Sequence, residues 1–182
     1  MMSKKPAAST LSPEYVLLGL LNQQAAHGYD LHERLLAELG SIWHISLSQT
    51  YNILKRLEAQ GYIIGTVQAQ EKSPARRRFS LTPTGRARFE CWLNTPTELS
   101  SRAIRVEFLT RLYFVYRIRP EAAAGLIETQ RAETQAGLAR LQTRLHELPP
   151  EQVFNRLGLE LRVRQLGSIL IWLEECRARL SQ

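Results

Sequence analysis

The chain has 182 residues, of which 44% are hydrophobic and 23% are charged, and a formal net charge of +7 with a pI near 9.8. This composition is that of a globular protein rather than of a disordered one, and the length allows one large domain or two small ones. The basic balance favours a polyanionic partner.

Targeting and membrane features are absent from the sequence pattern. No apolar run approaches the roughly 20 residues that a bilayer-spanning helix needs, so we expect no membrane association and a cytoplasmic location. The N-terminus, MMSKKPAAST, lacks the apolar core of a signal peptide, and residues 1–11 are predicted to form a flexible tail. Cys91 and Cys176 lack the spacing of a metal site or a disulfide framework, which predicts two reduced thiols.

Two helices are predicted first. Ser12-Pro13-Glu14 is a favourable helix start, since it combines a capping hydroxyl, a proline in the first turn and an acid near the positive end of the helix dipole. We expect the first helix to bury Val16, Leu17, Leu20 and Leu21 and to end at His27-Gly28. The second is expected from about Tyr29 to Leu39, with Gly40 as its C-cap. An apolar connector follows, formed by Ile42, Trp43 and Ile45.

A third helix is predicted from the segment that begins near Ser46. One face carries apolar or small side chains at the spacing of a buried stripe: Thr50, Ile53, Leu54 and Leu57. The opposite face is polar and cationic, with almost no acid: Ser48, Gln49, Asn52, Lys55 and Arg56. Gly61 is expected to end the helix.

Two strands and a fourth helix are predicted next. The strands are Tyr62–Ile64 and Arg78–Leu81, and the turn between them holds Lys72, Arg76 and Arg77. Six cations and no acid lie between positions 72 and 88. The fourth helix begins at Thr82-Pro83 and passes through Leu93, and Asn94-Thr95-Pro96 marks a domain boundary.

A polar helix face beside a cationic hairpin suits double-stranded DNA, because such a helix reaches base edges while the hairpin contacts phosphate. We therefore predict a winged helix-turn-helix domain over residues 12–96. The predicted contacts are Ser48, Gln49, Tyr51, Asn52, Lys55, Arg56, Lys72, Arg76 and Arg77. Alternatives remain for several of them. Tyr51 could pack on the wing, which is the predicted hairpin of residues 62–81. Gln49 and Asn52 could be solvated, and the basic turn could simply be exposed. The tail could be an arm in the minor groove.

Residues 97–182 are predicted to be entirely helical and to form a dimerisation domain. The helix predicted from Pro120 ends in a coiled-coil-like seam of Leu138, Leu141, Leu145 and Leu148. The last helix carries two apolar stripes, which requires neighbours on two sides, and a second copy of the chain is expected to supply one of them. The predicted dimerisation residues are Leu159, Val163, Leu166, Leu170 and Leu173. The expected fold is therefore mainly α with a small β-hairpin.

Other functions find little support. The four histidines share no metal-ligand spacing, and there is no nucleophile elbow, glycine-rich phosphate loop or convergent carboxylate pair. We therefore expect neither an enzyme nor a metal or other cofactor. The aromatic residues Trp92, Tyr113 and Trp172 could line a pocket for a small effector, and otherwise belong to the core.

Several motifs together resemble the PadR family of transcriptional regulators, and within it the branch that includes the virulence activator AphA and the phenolic-acid-responsive repressor. The resemblance is carried by Ser48-Gln49, Tyr51, the run Lys55-Arg56-Leu57-Glu58, Gly61, Glu71-Lys72-Ser73-Pro74, Arg77, Phe79-Ser80-Leu81-Thr82, Gly85, Trp92-Leu93 and Thr95-Pro96. It covers residues 12–96, and more loosely the helical remainder. The chain departs from the family pattern at Asn52, Arg78 and Phe79.

The resemblance implies a homodimer whose paired winged domains bind a near-palindromic DNA site. It also implies repression, and a response to a small aromatic or amphipathic ligand. The rival hypothesis is a winged-helix scaffold that does not bind DNA and acts through its helical tail. The cations of the wing argue against that rival.

Overall fold

The computed structural model describes residues 12–68 and 76–180. The predicted flexible tail, residues 1–11, and Lys72 therefore lie outside the described residues. The chain divides into two compact units, Met1–Thr95 (unit 1) and Pro96–Gln182 (unit 2). Across the described part of the chain, none of the helices is both long and apolar enough to span a bilayer.

Unit 1 is a small helical core with a sheet. Its described helices are α1 (Glu14–Gln23), α2 (Gly28–Leu39), α3 (Leu47–Ala59) and α4 (Pro83–Leu93). The predicted apolar stripes of α1 and α3 are buried, as are Leu31, Leu35 and Leu39 of α2, and Trp43 of the connector joins them in the core. Glycine is needed where α3 ends, because Gly61 has a φ of 73°. Gly40 caps α2 as predicted, but its φ of −63° is right-handed.

The sheet has one strand more than the predicted hairpin. Strands β1 (Ala26–His27), β2 (Ile63–Gln68) and β3 (Arg76–Leu81) are antiparallel and ordered β1-β3-β2. Strand β1 is only two residues long, too short for the alternation that identifies a strand. The placement of Arg76 and Arg77 in the turn was wrong, because both are residues of β3, opposite Gln68 and Val67.

Every regular element among the described residues of unit 2 is helical. The elements are α5 (Ser101–Ala103), a π-helical turn (Ile104–Phe108), α6 (Leu109–Ile118), a 3₁₀ turn (Pro120–Ala122), α7 (Ala123–Glu147) and α8 (Val153–Leu180). The pattern predicted a regular helix over residues 102–117, whereas the structure inserts the π turn.

A buried ion pair lies at the π turn. Glu107 and Arg111 are 1% and 0% exposed and form an ion pair with each other. Arg111 also donates from Nη1 to Oγ1 of Thr97, 2.6 Å away. Desolvating two charges costs several kcal/mol per ion, so such a pair survives only where both partners are well placed.

Helix α8 buries one of its stripes within its own chain. Leu159, Leu166 and Leu173 are buried without any second chain, and α8 packs along α7 of the same chain. A side chain at Gly137 of α7 would lie 3.7 Å from Cδ1 of Leu166. This differs from the expectation that these three leucines form an interface between two chains. Val163 and Leu170 are half-buried.

Candidate nucleic-acid interface

Helix α3 begins with a capping box. The Ser46 hydroxyl accepts the N–H of Gln49 at 3.2 Å, and Oε1 of Gln49 accepts the N–H of Ser46 at 2.8 Å. The Ser-x-x-Gln spacing at positions 46–49 is the sequence pattern of such a box. Gln49 therefore holds the start of α3, and its amide oxygen is already engaged.

The rest of the polar face of α3 is exposed. Ser48, Tyr51, Asn52 and Lys55 are solvent-accessible, whereas Thr50 is fully buried. Oγ1 of Thr50 is 3.0 Å from Nδ1 of His32 on α2, so a buried hydrogen bond joins the two helices. The face that carries amide and cationic groups thus points outward from a fixed helix.

A concave surface, the α3 cleft, connects this face to the sheet. Its volume is about 710 Å³. It is lined by the first turn of α2, the exposed face of α3 and the start of β3, namely His27, Gly28, Tyr29, Asp30, Tyr51, Asn52, Lys55, Glu58, Arg76, Arg77 and Phe79. The structure brings five of the predicted contacts together here: Tyr51, Asn52, Lys55, Arg76 and Arg77.

The other predicted contacts lie elsewhere. Ser48 and Gln49 are exposed on α3 but do not line the cleft, and Lys72 lies outside the described residues. Arg56 is directed to α1, where its Nε is 2.5 Å from Oε1 of the buried Glu14. The charge of Arg56 is therefore already partnered within the domain.

Glu14 is the centre of an ion-pair network that sequence reasoning missed. Its other oxygen, Oε2, accepts from Nη2 of Arg88 at 2.6 Å. The guanidinium of Arg88 lies 4.4 Å from the ring centroid of Tyr62 and 5.4 Å from that of Tyr15. Burial alone would lower the pKa of Arg88, but its hydrogen bond to Tyr15 and the charge of Glu14 outweigh it, so the pKa is raised.

The start of α2 was also missed as part of the cleft. Tyr29 is 55% exposed, and the ring of Tyr51, which is 45% exposed, lies against Gly28 on one side. Nδ1 of His27 is 3.1 Å from the carbonyl oxygen of Arg77, across the β1–β3 pair. The pairing of β1 with β3 places His27 beside Arg77, and a two-residue strand is too short to be recognised from the sequence.

The three predicted effector residues do not share one site. Trp92 stacks on Tyr15 in unit 1, with 4.7 Å between the ring centroids. In unit 2, Tyr113 packs edge-on against Phe114. Trp172 lines a separate cavity of about 310 Å³ with Ser101, Ile104, Arg105, Leu109, Ser168 and Ile169. No group of His, Cys, Asp and Glu among residues 12–68 and 76–180 is arranged to hold a metal ion.

Comparison with known proteins gives matches to both units. The model of the transcriptional regulator PadR-like family matches residues 17–91, and that of the virulence activator alpha C-terminal domain matches residues 104–181. The negative transcriptional regulator PadR of Bacillus subtilis (strain 168) is 30% identical over 129 residues, which cover 71% of this chain and 70% of that protein. The chain belongs to the PadR-like family of transcriptional regulators.

The further matches have lower sequence identity. A probable transcriptional regulator of Mycobacterium tuberculosis is 27% identical over 84 residues, 46% of this chain and 44% of that protein. Alignment with the crystal structure of Bacillus subtilis PadR in complex with operator DNA gives 26% sequence identity and a TM-score of 0.44. It covers 92% of this chain and 98% of the PadR chain. The family consists of transcriptional regulators and not of enzymes. The fold predicted from the sequence, a winged helix followed by a helical unit, is the one that this chain has.

Proposed function

We propose that unit 1 binds double-stranded DNA in a sequence-specific manner through the α3 cleft, with α3 in the major groove and the wing, residues 62–81, on the sugar-phosphate backbone. The observation that carries the proposal is the convergence of Asn52, Lys55 and Arg76 on one concave surface. A major groove about 12 Å wide admits a helix of that diameter.

The proposed contacts fall into two classes. Asn52 is exposed on α3 and has the amide that pairs with adenine, so we assign it to base edges. Lys55, Tyr51 and Arg76 are assigned to phosphate, with Ser48 and Lys72 as further contacts. Arg77 is assigned to phosphate as well, but its guanidinium is paired with Glu58 and must leave that carboxylate first. Gln49 can still donate from its amide nitrogen, although its oxygen caps α3. Arg56 is the weakest candidate, because Glu14 already neutralises it.

We propose that the functional form is a homodimer, in which two clefts bind the halves of a near-palindromic operator in the cytoplasm. Support comes from the outer face of α8, where a second copy would cover apolar side chains that one chain leaves in water. Phe154 is 89% exposed, and Leu157, Leu161 and Ile171 are 54%, 57% and 66% exposed. The regulated outcome is proposed to be repression, since the relative that is 30% identical is named a negative regulator.

We further propose that the cavity of unit 2 binds a small amphipathic effector. Its walls are apolar at Ile104, Leu109 and Ile169, while Arg105 supplies a cation and Trp172 an aromatic face. A flat ligand that bears a carboxylate suits such a lining. Titration with benzoate and its hydroxylated derivatives should quench Trp172 fluorescence in the wild type and leave Trp172→Phe unaffected. Equal quenching in both proteins would place the binding elsewhere.

The DNA-binding proposal is tested by selecting duplexes from a random pool with purified full-length protein. Recovery of a near-palindromic motif is expected. If a dimer neutralises about eight phosphates, the logarithm of its affinity should then fall against the logarithm of salt concentration with a slope of roughly −7. Failure to enrich any motif, with no retention of duplex at low salt, would favour the scaffold hypothesis instead.

A further inference from the structure

We infer that Glu58 is a positioning residue that lowers the affinity of the α3 cleft for the DNA backbone. Its carboxylate binds the guanidinium of Arg77, which would otherwise be free to bind a phosphate. The inference rests on the proposed function of unit 1. It concerns one acid on α3 that lies among the cations of the cleft.

Glu58 joins the last turn of α3 to both long strands of the sheet. Its Oε1 accepts from Nη2 of Arg77 on β3 at 2.6 Å and from the N–H of Gly65 on β2 at 2.9 Å. One carboxylate oxygen therefore fixes the sheet against the helix and neutralises a cation of β3. We call this arrangement the Glu58 clasp.

Gly65 leaves the space that the Glu58 clasp needs. A methyl group at Gly65 would lie 2.9 Å from Oε1 of Glu58, and closer still to Nε of Arg77. The side chain of Arg77 therefore reaches Glu58 across the position where any other residue would carry a Cβ atom. In addition, β2 is an edge strand, and Glu58 supplies the acceptor for its Gly65 N–H.

The pair lies where a competing anion would arrive. Both residues line the α3 cleft, and the side chain of Arg77 is 53% exposed while that of Glu58 is 23% exposed. Guanidinium binds carboxylate and phosphate oxygens with the same fork geometry. A phosphate that binds Arg77 must therefore displace Glu58. Breaking the Glu58–Arg77 ion pair costs free energy, which makes the free energy of DNA binding less favourable.

Arg77 differs in this respect from its neighbours. Within residues 12–68 and 76–180, neither Lys55 nor Arg76 forms an ion pair, although both line the same cleft. Among the described residues of the cleft, Lys55 and Arg76 are therefore not engaged by an acid, whereas the guanidinium of Arg77 is bound to Glu58. Because phosphate contacts are independent of sequence, the Glu58 clasp should weaken binding to every duplex alike.

Glu58→Gln removes the charge of the side chain but keeps its hydrogen bond to the sheet, because the amide oxygen of the substituted side chain can still accept the Gly65 N–H. The matched control is Glu90→Gln, which makes the same change of charge at an exposed position of α4 that does not line the cleft. Affinity for the selected operator and for a scrambled duplex is measured by fluorescence anisotropy at several salt concentrations. Circular dichroism confirms that each variant is folded.

We expect Glu58→Gln to tighten binding to both duplexes by about tenfold at low salt relative to Glu90→Gln. The salt slope should become steeper by about two units, one for each Arg77 released in a dimer. In an Arg77→Met background, Glu58→Gln should have no further effect. A purely structural role would lower affinity and leave the salt slope unchanged.

Three results would overturn the inference: a lower affinity of Glu58→Gln with an unchanged salt slope, equal affinities for Glu58→Gln and Glu90→Gln, or a tightening that persists in the Arg77→Met background. Each of them leaves the proposed function intact as long as the wild type binds its operator. If the wild type retains no duplex at any salt concentration, the proposed function fails, and the inference fails with it.

Discussion

Glu14 shows how a single buried carboxylate can fix the position of α3. It lies on α1 and pairs with Arg56 on α3 and Arg88 on α4, so it connects three helices of unit 1. The residue is only 6% exposed. Removing its charge would leave two guanidinium groups without their partner, one of them largely buried.

Glu14→Gln should therefore lower the free energy of unfolding by about 2 kcal/mol or more. The control is Glu90→Gln, the same substitution at an exposed position of α4, where a change of surface charge should alter stability by no more than about 0.5 kcal/mol. Urea titration followed by circular dichroism measures both. Equal losses in the two variants would mean that the network around Glu14 is not a main source of stability.

Asn52 and Arg76 should differ in what they contribute to DNA binding. Asn52→Ala should cost roughly 1–3 kcal/mol per half-site on the operator and much less on scrambled DNA, because it removes a base contact. Arg76→Ala should weaken binding to both duplexes about equally and flatten the salt slope by about one unit for each phosphate that is no longer neutralised. The paired titrations decide the assignment. The opposite pattern would exchange the roles of α3 and the wing.

At the scale of elements, α3 owes its start to the capping box rather than to its apolar stripe. Ser46→Ala should lower the free energy of unfolding by about 1 kcal/mol, since it leaves the N–H of Gln49 unsatisfied. Ser48→Ala, a change of the same residue type two positions later, should stay within about 0.5 kcal/mol. Thermal and urea unfolding compare the two variants, and a larger loss for Ser48→Ala would contradict the cap.

The helices of unit 1 could be predicted because local rules and tertiary packing agree there. The stripe Thr50, Ile53, Leu54 and Leu57 is buried, and Thr82 caps α4 through its hydroxyl, 3.1 Å from the N–H of Gly85. Strand β1 could not be predicted, because its two residues are defined by pairing with Phe79 and Arg78. Long-range pairing of this kind has no local pattern.

The absence of a local pattern for long-range contacts also explains which residues of the site could be predicted. Asn52 and Lys55 were identified because they share one face of a helix, which the sequence displays directly, whereas Tyr51 was identified from the family resemblance. The ion pairs of Arg56 and Arg77 were missed, since each joins residues on different elements, Glu14 with Arg56 and Glu58 with Arg77. In unit 2, Glu107 and Arg111 are buried although charged residues are rarely found inside.

At the scale of the whole molecule, the proposed homodimer requires an apolar face of α8 that its own chain does not cover. The stripe of Leu159, Leu166 and Leu173 is buried by its own chain, whereas Phe154, Leu157 and Leu161 are exposed. The three exposed positions follow a three-four spacing, which is that of a helix seam. The apolar surface left in water is therefore on the opposite side from the one that α7 covers.

Substitution by glutamate should separate these two faces. Leu157→Glu or Leu161→Glu should convert the dimer to a folded monomer, because a carboxylate in an interface between chains would be buried without a partner at a cost of several kcal/mol. Leu166→Glu should unfold unit 2, since the same charge would enter the core of a single chain. Analytical ultracentrifugation gives the mass and circular dichroism gives the helix content of each variant. A dimeric Leu157→Glu/Leu161→Glu double variant, or a folded monomeric Leu166→Glu, would assign the interface instead to the stripe of Leu159, Leu166 and Leu173.

Because two linked clefts bind a palindromic operator far more tightly than one does, the monomeric variants should also lose most of their operator affinity while each unit 1 stays folded.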